Sequence, residues 1–316
     1  MTGPTFRIVA YDSIDSTNDE ARRLAAAGTG AGTVVVAAEQ TAGRGRRRRE
    51  WESRRGNLFA SFLLDGGPEP ARRAELAFVA AVALRDALAA LAPAATFSCK
   101  WPNDVLCDGR KISGMLLEGE GTLVILGVGV NVAHAPADAL VAATSLADAG
   151  VVLTPTAVLK RFCAELESWL ARWRVEGFAP VRGAWRERAV GIGGAVTVRL
   201  ADGVEWQGRF VDLDEEGALL LDSPGAGRRR VVAGDVFFAI STSGNSKNIL
   251  RAIEAARARG VKTVGFTGQS GGAMAEQCDL CFRVPSGETP RIQEGHEFLG
   301  HLLCGLIEHE MFGQDR

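Results

Sequence analysis

The spacing of apolar positions changes character three times along the chain. Residues 6–12 alternate as in a short strand, and residues 19–27 repeat apolar positions at helical spacing. Val-rich residues 33–39 and residues 57–64 predict two further strands with a loop over 40–51 between them. Residues 76–91 are rich in Ala and Leu with apolar residues on most faces, which predicts a helix packed against a sheet. Residues 96–100 read as a strand, residues 123–132 as a buried strand ending at Asn131, and residues 155–173 and 178–188 as two amphipathic helices. The texture then shifts to short alternating strands at 195–200, 205–213, 218–221 and 229–232. Asp202-Gly203 and Glu216-Gly217 supply turns, giving a small all-β module. From Asp235 onward the order is strand 236–240, helix 247–259, strand 261–267, short helix 271–277, strand 280–284 and helix 289–310. This β-α-β-α-β-α order predicts a parallel sheet.

Composition narrows the picture. A chain of 316 residues with 47% hydrophobic and 23% charged residues has room for two or three globular domains. The net charge of −2 shows no global basic excess, which argues against a dedicated nucleic-acid binder. No secretory signal or membrane-length apolar run is present, so a cytoplasmic protein is expected. Six scattered cysteines, several within apolar runs, are expected to be buried free thiols. Cys278 and Cys281 form a C-x-x-C without a partner pair, a weak pointer to zinc or redox work.

Three stretches carry candidate chemistry. In the loop 40–51, Gly43 and Gly45 allow close backbone approach, while Arg44, Arg46, Arg47, Arg48 and Arg49 concentrate positive charge. Such a loop repels itself when empty and should be ordered by a carboxylate or phosphate; the competing reading is a solvated surface or a nucleic-acid patch. Ser16, Thr17 and Asn18 precede the first helix. One of them suffices as a cap, and the others suit a ligand at the helix start. Ser241, Thr242, Ser243 and Ser246 crowd a strand-to-helix turn around Gly244, where backbone N–H groups and hydroxyls would cradle a phosphate.

In chain order, Ser16-Thr17-Asn18, Gln40 with Gly43-Arg44-Gly45-Arg46 and Trp51, Lys100-Trp101-Pro102-Asn103-Asp104, Lys111 with Gly114, and Gly127-Val128-Gly129-Val130-Asn131 resemble the biotin protein ligase family over about residues 5–237. The resemblance is to the monofunctional class, which has no DNA-binding arm ahead of the catalytic domain. It implies an α+β catalytic domain over 1–189, a mixed sheet with helices of the class II synthetase type. A small β-barrel follows over 190–234. It also implies that biotin's carboxylate attacks the α-phosphate of ATP, and that a lysine of a biotin carboxyl carrier protein then attacks the biotinyl-5′-AMP formed. By resemblance Ser16, Thr17, Asn18, Gln40, Gly43, Arg44, Gly45, Arg46, Lys111 and Gly114 hold biotin, and Arg49, Trp51, Asn103, Asp104 and Asn131 serve ATP and magnesium. Lys111 and Arg46 carry the catalytic charge. Both nucleophiles come from substrates, so positioning and charge stabilisation are the protein's part. Arg48 departs from the family pattern, where Gly is usual. Neither DNA nor membrane is an expected partner.

The remainder resembles a second family. Residues 234–246 (GDVFFAISTSGNS), 267–272 (TGQSGG), 283–286 (RVPS) and 291–294 (RIQE), with His301, are similar to phosphoheptose isomerase, a sugar-isomerase fold acting on sedoheptulose 7-phosphate. The resemblance covers about residues 234–316 and only the second half of that fold, so a partial α/β parallel-sheet domain over 235–316 and a gene fusion are implied. It implies phosphosugar binding by Ser241, Thr242, Ser243 and Ser246, and zinc ligation by Gln293 and His301, two ligands where zinc takes four. Three roles stay open for this tail: a contribution to isomerisation with another chain, a phosphosugar-binding or assembly module, or a remnant whose open sheet edge invites self-association.

Overall fold

The computed structural model describes residues 6–46, 49–67, 70–120, 122–137, 141–199, 205–225, 227–231, 236–258 and 262–312. Arg47, Arg48, the turn at 202–203 and the junction at 234–235 lie outside them. The chain falls into two compact units, Met1–Val196 with Gln207–Arg228, and Thr197–Trp206 with Arg229–Arg316.

The first unit is built on a seven-stranded sheet of β1 (Arg7–Ile14), β2 (Thr33–Gln40), β3 (Leu58–Asp65), β4 (Phe97–Lys100), β5 (Asp104–Cys107), β6 (Arg110–Glu120) and β7 (Leu123–Val130). Its spatial order is β1-β2-β3-β7-β6-β5-β4. Only β1 and β2 run parallel, because α1 (Thr17–Ala26) supplies the crossover that parallel neighbours need. The other neighbours are antiparallel.

Alternation along each strand gives the sheet two different faces. On one face Ala21 of α1 packs with Val35, Leu63 and Ile125. On the other, Phe62 meets Phe162 edge-on at 5.3 Å, where α3 (Pro155–Glu176) covers β3. The helix α2 (Glu75–Leu91) lies against α3, α4 (Phe178–Arg188) and strands β4 to β6, which explains its near all-round apolar surface. Ser61, fully buried within the apolar run of β3, points to the α1 face.

The predicted β module forms a four-stranded sheet, β11-β10-β9-β8, from Ala195–Arg199 (β8), Glu205–Leu213 (β9), Leu219–Ser223 (β10) and Gly227–Val231 (β11). Gly217 turns the chain between β9 and β10 at φ +84°, where an added Cβ would also run into the Phe78 ring.

In the second unit β12 (Val236–Ile240), β13 (Lys262–Thr267) and β14 (Leu280–Arg283) form a parallel sheet in sequence order, with α5 (Lys247–Ala258), α6 (Met274–Gln277) and α7 (Thr289–Phe312) as connections and terminus. Ala239, Ile253 and Met274 make its core. The expectation of six buried thiols holds only in part. Cys99, Cys107 and Cys163 are buried, Cys278 and Cys281 are half-buried, and Cys304 is exposed. The difference is physical: Cys99 and Cys107 lie on β4 and β5 and Cys163 on the buried side of α3, whereas Cys304 is on an exposed position of α7.

Candidate active site

The α1 face of the sheet carries the site. Gly129 of β7 sits opposite Gly114 of β6, and Gly127, two residues along β7, faces the same way, so the three leave a floor without side chains of its own. Each is filled from above. A Cβ at Gly127 would strike the Asn18 amide, one at Gly129 would come within 2.6 Å of the Trp51 indole nitrogen, and one at Gly114 would lie 3.1 Å from the same ring and 3.2 Å from Lys111 Nζ. The glycines are therefore there for close approach from above the sheet.

Ser16-Thr17-Asn18 opens α1 beside this floor, and all three are buried. Ser16 occupies the N-cap position but its side chain makes no capping bond. The Thr17 N–H instead donates to Gln40 Oε1 (2.8 Å), which also accepts from the Thr17 hydroxyl (3.0 Å). Gln40 Nε2 donates to Ser53 Oγ at 2.9 Å, and Ser53 donates to the Trp51 carbonyl at 2.8 Å. One glutamine thus links the helix start to the far end of the arginine loop. Ser61 is within hydrogen-bond reach of Thr17 Oγ1 (2.7 Å) and Asn18 Oδ1 (2.5 Å), while Asn18 Nδ2 donates to Glu118 (2.6 Å). Both ends of the Asn18 amide are fixed.

The loop from Gln40 to Trp51 is closed on itself by Gly45 N–H to Arg49 O (2.8 Å) and Trp51 N–H to Gly43 O (2.9 Å). Gly43 is packed so tightly that a Cβ would meet Ser53, the Trp51 carbonyl and Gln40. Arg44 forms a bidentate pair with Asp19, which also meets Arg22, and the Arg44 guanidinium holds the Asp19 carboxyl below the usual carboxylate range. The self-repelling loop expected from its charge is therefore met, at Arg44, by a carboxylate of the protein itself. Arg46 reaches toward Asn103 Oδ1 at 3.3 Å, and Asn103 Nδ2 donates to the Met115 carbonyl.

Lys111 is half-buried and its Nζ lies 2.7 Å from Asp104 and 5.6 Å from the Trp51 ring centre. Lys111 is thus more than an exposed lysine at a strand start. The Trp51 ring rests on Gly114 and Gly129, and its Nε1 is buried without a hydrogen-bond partner among the described residues. Asn131 lies just past β7, its amide donating to the Thr144 carbonyl at 3.1 Å. Arg49 is exposed on the loop.

The structure thus brings Ser16, Thr17, Asn18, Gln40, Gly43, Arg44, Trp51, Lys111 and Gly114 onto one face, with Arg46, Asn103 and Asp104 at its edge. It adds residues the sequence did not single out: Asp19, Ser53, Ser61 and Glu118, and Asn57. The Asn57 Oδ1 accepts from the N–H groups of Val132, Ala133 and His134 (2.9, 2.9 and 3.1 Å) and shapes the segment after β7. Ser61 did carry a signal, a lone hydroxyl inside the apolar run of β3.

In the second unit, Ser241, Thr242, Ser243 and Ser246 lie between β12 and the start of α5, as the sequence placed them. Ser241 Oγ lies 2.8 Å from Ser246 Oγ and 3.5 Å from Ser243 Oγ. Gly244 takes φ +66° against the Gly271 carbonyl, and Met274 N–H donates to Gly244 O at 3.0 Å. Gln293 and His301 are both exposed on α7, about 12 Å apart along the axis by helical rise. Among the described residues there is no cluster of three or more His, Cys, Asp or Glu that could hold a metal, and no helix long and apolar enough to cross a membrane.

A glycine-floored sheet face, a polar helix start and an Arg-Gly loop beside a paired lysine therefore lie together in the first unit. The model of the biotin/lipoate A/B protein ligase family matches residues 10–131, and that of the biotin protein ligase C-terminal domain matches residues 191–239. The chain is 40% identical over 236 residues to a biotin–[acetyl-CoA-carboxylase] ligase of Paracoccus denitrificans, covering 71% of this chain and 97% of the relative. It also superposes on the biotin protein ligase from Aquifex aeolicus in complex with biotin and ATP with a TM-score of 0.64 and 29% identity, covering 72% of this chain and 96% of that one. The chain belongs to the biotin protein ligase family. Its C-terminal segment is different: the SIS domain model matches residues 228–295, and 75 residues are 65% identical to phosphoheptose isomerase of Rhodospirillum rubrum. That match spans 40% of the isomerase's length.

Proposed function

We propose that this chain joins biotin to a specific lysine of a biotin carboxyl carrier protein, using ATP and passing through biotinyl-5′-AMP. The observation that carries this reading is the glycine floor of β6 and β7 with Lys111 and Asp104 at its edge, in a chain of this family. Ser16, Thr17, Asn18 and Gln40 bind the polar head of biotin. Gly45 and Gly114 let it approach the backbone, and Gly43 serves biotin by packing the loop against Ser53 and Gln40. Lys111 leaves Asp104 to neutralise the reacting carboxylate and α-phosphate, with Arg46 as the second cation. The buried, partnerless Trp51 Nε1 supports a ligand acceptor above the floor, and the ring supports stacking near the adenine.

Arg49, Asn103, Asp104 and Asn131 serve the nucleotide. Magnesium fits this set as an ion held by one carboxylate, Asp104, together with the phosphates of ATP, its usual mode of binding. When bound it would neutralise phosphate charge. The loop carrying Arg44 and Arg46 closes over the adenylate and keeps water from the mixed anhydride. We assign the catalytic domain to residues 1–189, a barrel-type module to 190–234 and the isomerase-like segment to 235–316, and we place the reaction in the cytoplasm without DNA as a partner.

The test is biotin-dependent exchange of pyrophosphate into ATP on the full-length chain. Exchange that requires biotin is expected; none on either the full chain or residues 1–239 would remove the adenylation reading.

The hydroxyl cluster of Ser241, Ser243 and Ser246 ahead of α5 favours a second activity, binding of a phosphosugar in the tail, with Thr242 in the same loop. Calorimetry with sedoheptulose 7-phosphate checks it; a heat that survives conversion of Ser241 and Ser246 to Ala would place binding elsewhere.

A further inference from the structure

The two half-buried cysteines of the second unit converge on one point. Residues three apart in a strand face opposite ways, so Cys278 and Cys281 would separate if the chain ran straight. It does not. Asp279 lies in a bend between them, pinned by its carboxylate to the Thr263 N–H and hydroxyl (2.8 Å each), with its own N–H donating to Thr263 Oγ1 at 3.0 Å. The bend turns both sulfurs over Gly265 of β13. A Cβ at that position would lie 2.9 Å from Cys278 Sγ and 3.2 Å from Cys281 Sγ, so the two thiols share a gap that a glycine leaves open. Cys281 is the register partner of Gly265, and Cys278 ends α6 with its N–H on the Met274 carbonyl at 2.9 Å. The same turn holds the serine loop through Met274 N–H and Gly244 O.

We propose that Cys278 and Cys281 form a redox-active dithiol, closed to a disulfide by low-molecular-weight disulfides of the oxidised-glutathione class. One thiolate attacks a sulfur of the small disulfide, forms a mixed disulfide and expels one small thiol. The second thiolate attacks the protein-side sulfur and expels the other. The protein gives up two electrons and two protons, which leave on the two small thiols. No third His, Cys, Asp or Glu joins the pair among the described residues, so a dithiol and not a metal site is the chemistry present. Selectivity follows from the other thiols. Burial pushes Cys99 up to about 12 and Cys107 and Cys163 up to about 11, which keeps them protonated and unreactive, and Cys304 stands alone on α7.

The test uses the full chain in native buffer with excess oxidised glutathione, followed by alkylation and trypsin. Cleavage after Lys262 and Arg283 places both cysteines on one peptide, residues 263–283. That peptide is expected two hydrogens lighter and unalkylated, with dithiothreitol restoring both alkylation sites. In the C281S variant Cys278 is expected to carry glutathione as a trapped mixed disulfide. Recovery of the parent peptide doubly alkylated, or carrying glutathione without an internal bond, overturns the proposal. So does a Cys278 in C281S that stays free of glutathione while Cys304 reacts.

Discussion

At the scale of single residues, the site is a set of fixed donors around a bare floor, and its weak points are the groups that fix them. In the proposed reaction, Lys111→Ala removes the cation assigned to the reacting carboxylate. Biotin-dependent pyrophosphate exchange should fall by about 10²-fold or more, with the circular dichroism spectrum unchanged, because Lys111 is half-buried and its loss leaves Asp104 partly open to water. Ser61→Ala removes the hydroxyl whose single proton serves Thr17 Oγ1 and Asn18 Oδ1. At roughly 1 kcal/mol for one hydrogen bond, the KM for biotin should rise by about fivefold with kcat little changed, as steady-state kinetics would show. An unchanged KM would mean that Asn18 is held by Glu118 alone. The residues that touch the floor were legible in the sequence because they come in runs of unusual type. Glu118, Asp19 and Asn57 were not. Each is an ordinary polar residue at an ordinary position, and its role exists only because α1, β6 and the segment after β7 meet in space.

At the scale of elements, the loop between β2 and β3 is held from outside by α1. Asp19→Asn should leave Arg44 with Glu118, 4.0 Å away, as its remaining carboxylate and loosen the loop, read as faster cleavage by trypsin after Arg44 and Arg46 in the native protein. A cleavage rate equal to the parent's would show that Gly43 and its packing suffice. The pH dependence has a definite sign. Arg44 holds the Asp19 carboxyl below 3.8, so the pair's contribution is fully present above that value and is lost as pH falls through the lower folded-state value. Loop protection from an acid protease should therefore be flat from pH 8 to about 4 and decline only below, a decline that Asp19→Asn lacks. Most strands and helices could be read from apolar spacing within a residue or two, since β2, β3 and β7 are dominated by branched and aromatic side chains. Their order in the sheet could not. The pairing of β3 with β7 joins Asp65 to Leu123 and Leu58 to Val130, residues about 60 to 70 positions apart in the chain, and no local pattern encodes it. The parallel tail was easier, because strand and helix alternate and neighbours in sequence are neighbours in the sheet.

At the scale of the whole molecule, the ligase and its C-terminal segment are joined where two family matches overlap, at residues 228–239. Every residue assigned to adenylation lies between Ser16 and Asn131, within the first unit, whose core is filled by Trp185, Phe59, Phe62 and Phe162. The Paracoccus relative is matched over 97% of its length by 236 residues of this chain, so its length corresponds to the ligase part without the tail. The second unit is less well enclosed. Phe238, Ile240 and Leu280 on its sheet are 48%, 56% and 52% exposed, and Phe298 on α7 is 68% exposed, an apolar surface that favours association. Removing residues 240–316 should therefore leave biotin-dependent exchange within about twofold of the parent, since fixed positioning in the first unit carries the rate, and should lower light scattering at equal concentration. The cut falls just past the region matched by the ligase C-terminal domain, so that module is kept whole. Loss of exchange in a truncated chain that still melts cooperatively would make the isomerase-like segment a working part of the ligase, and the fusion would then have to be understood as one enzyme.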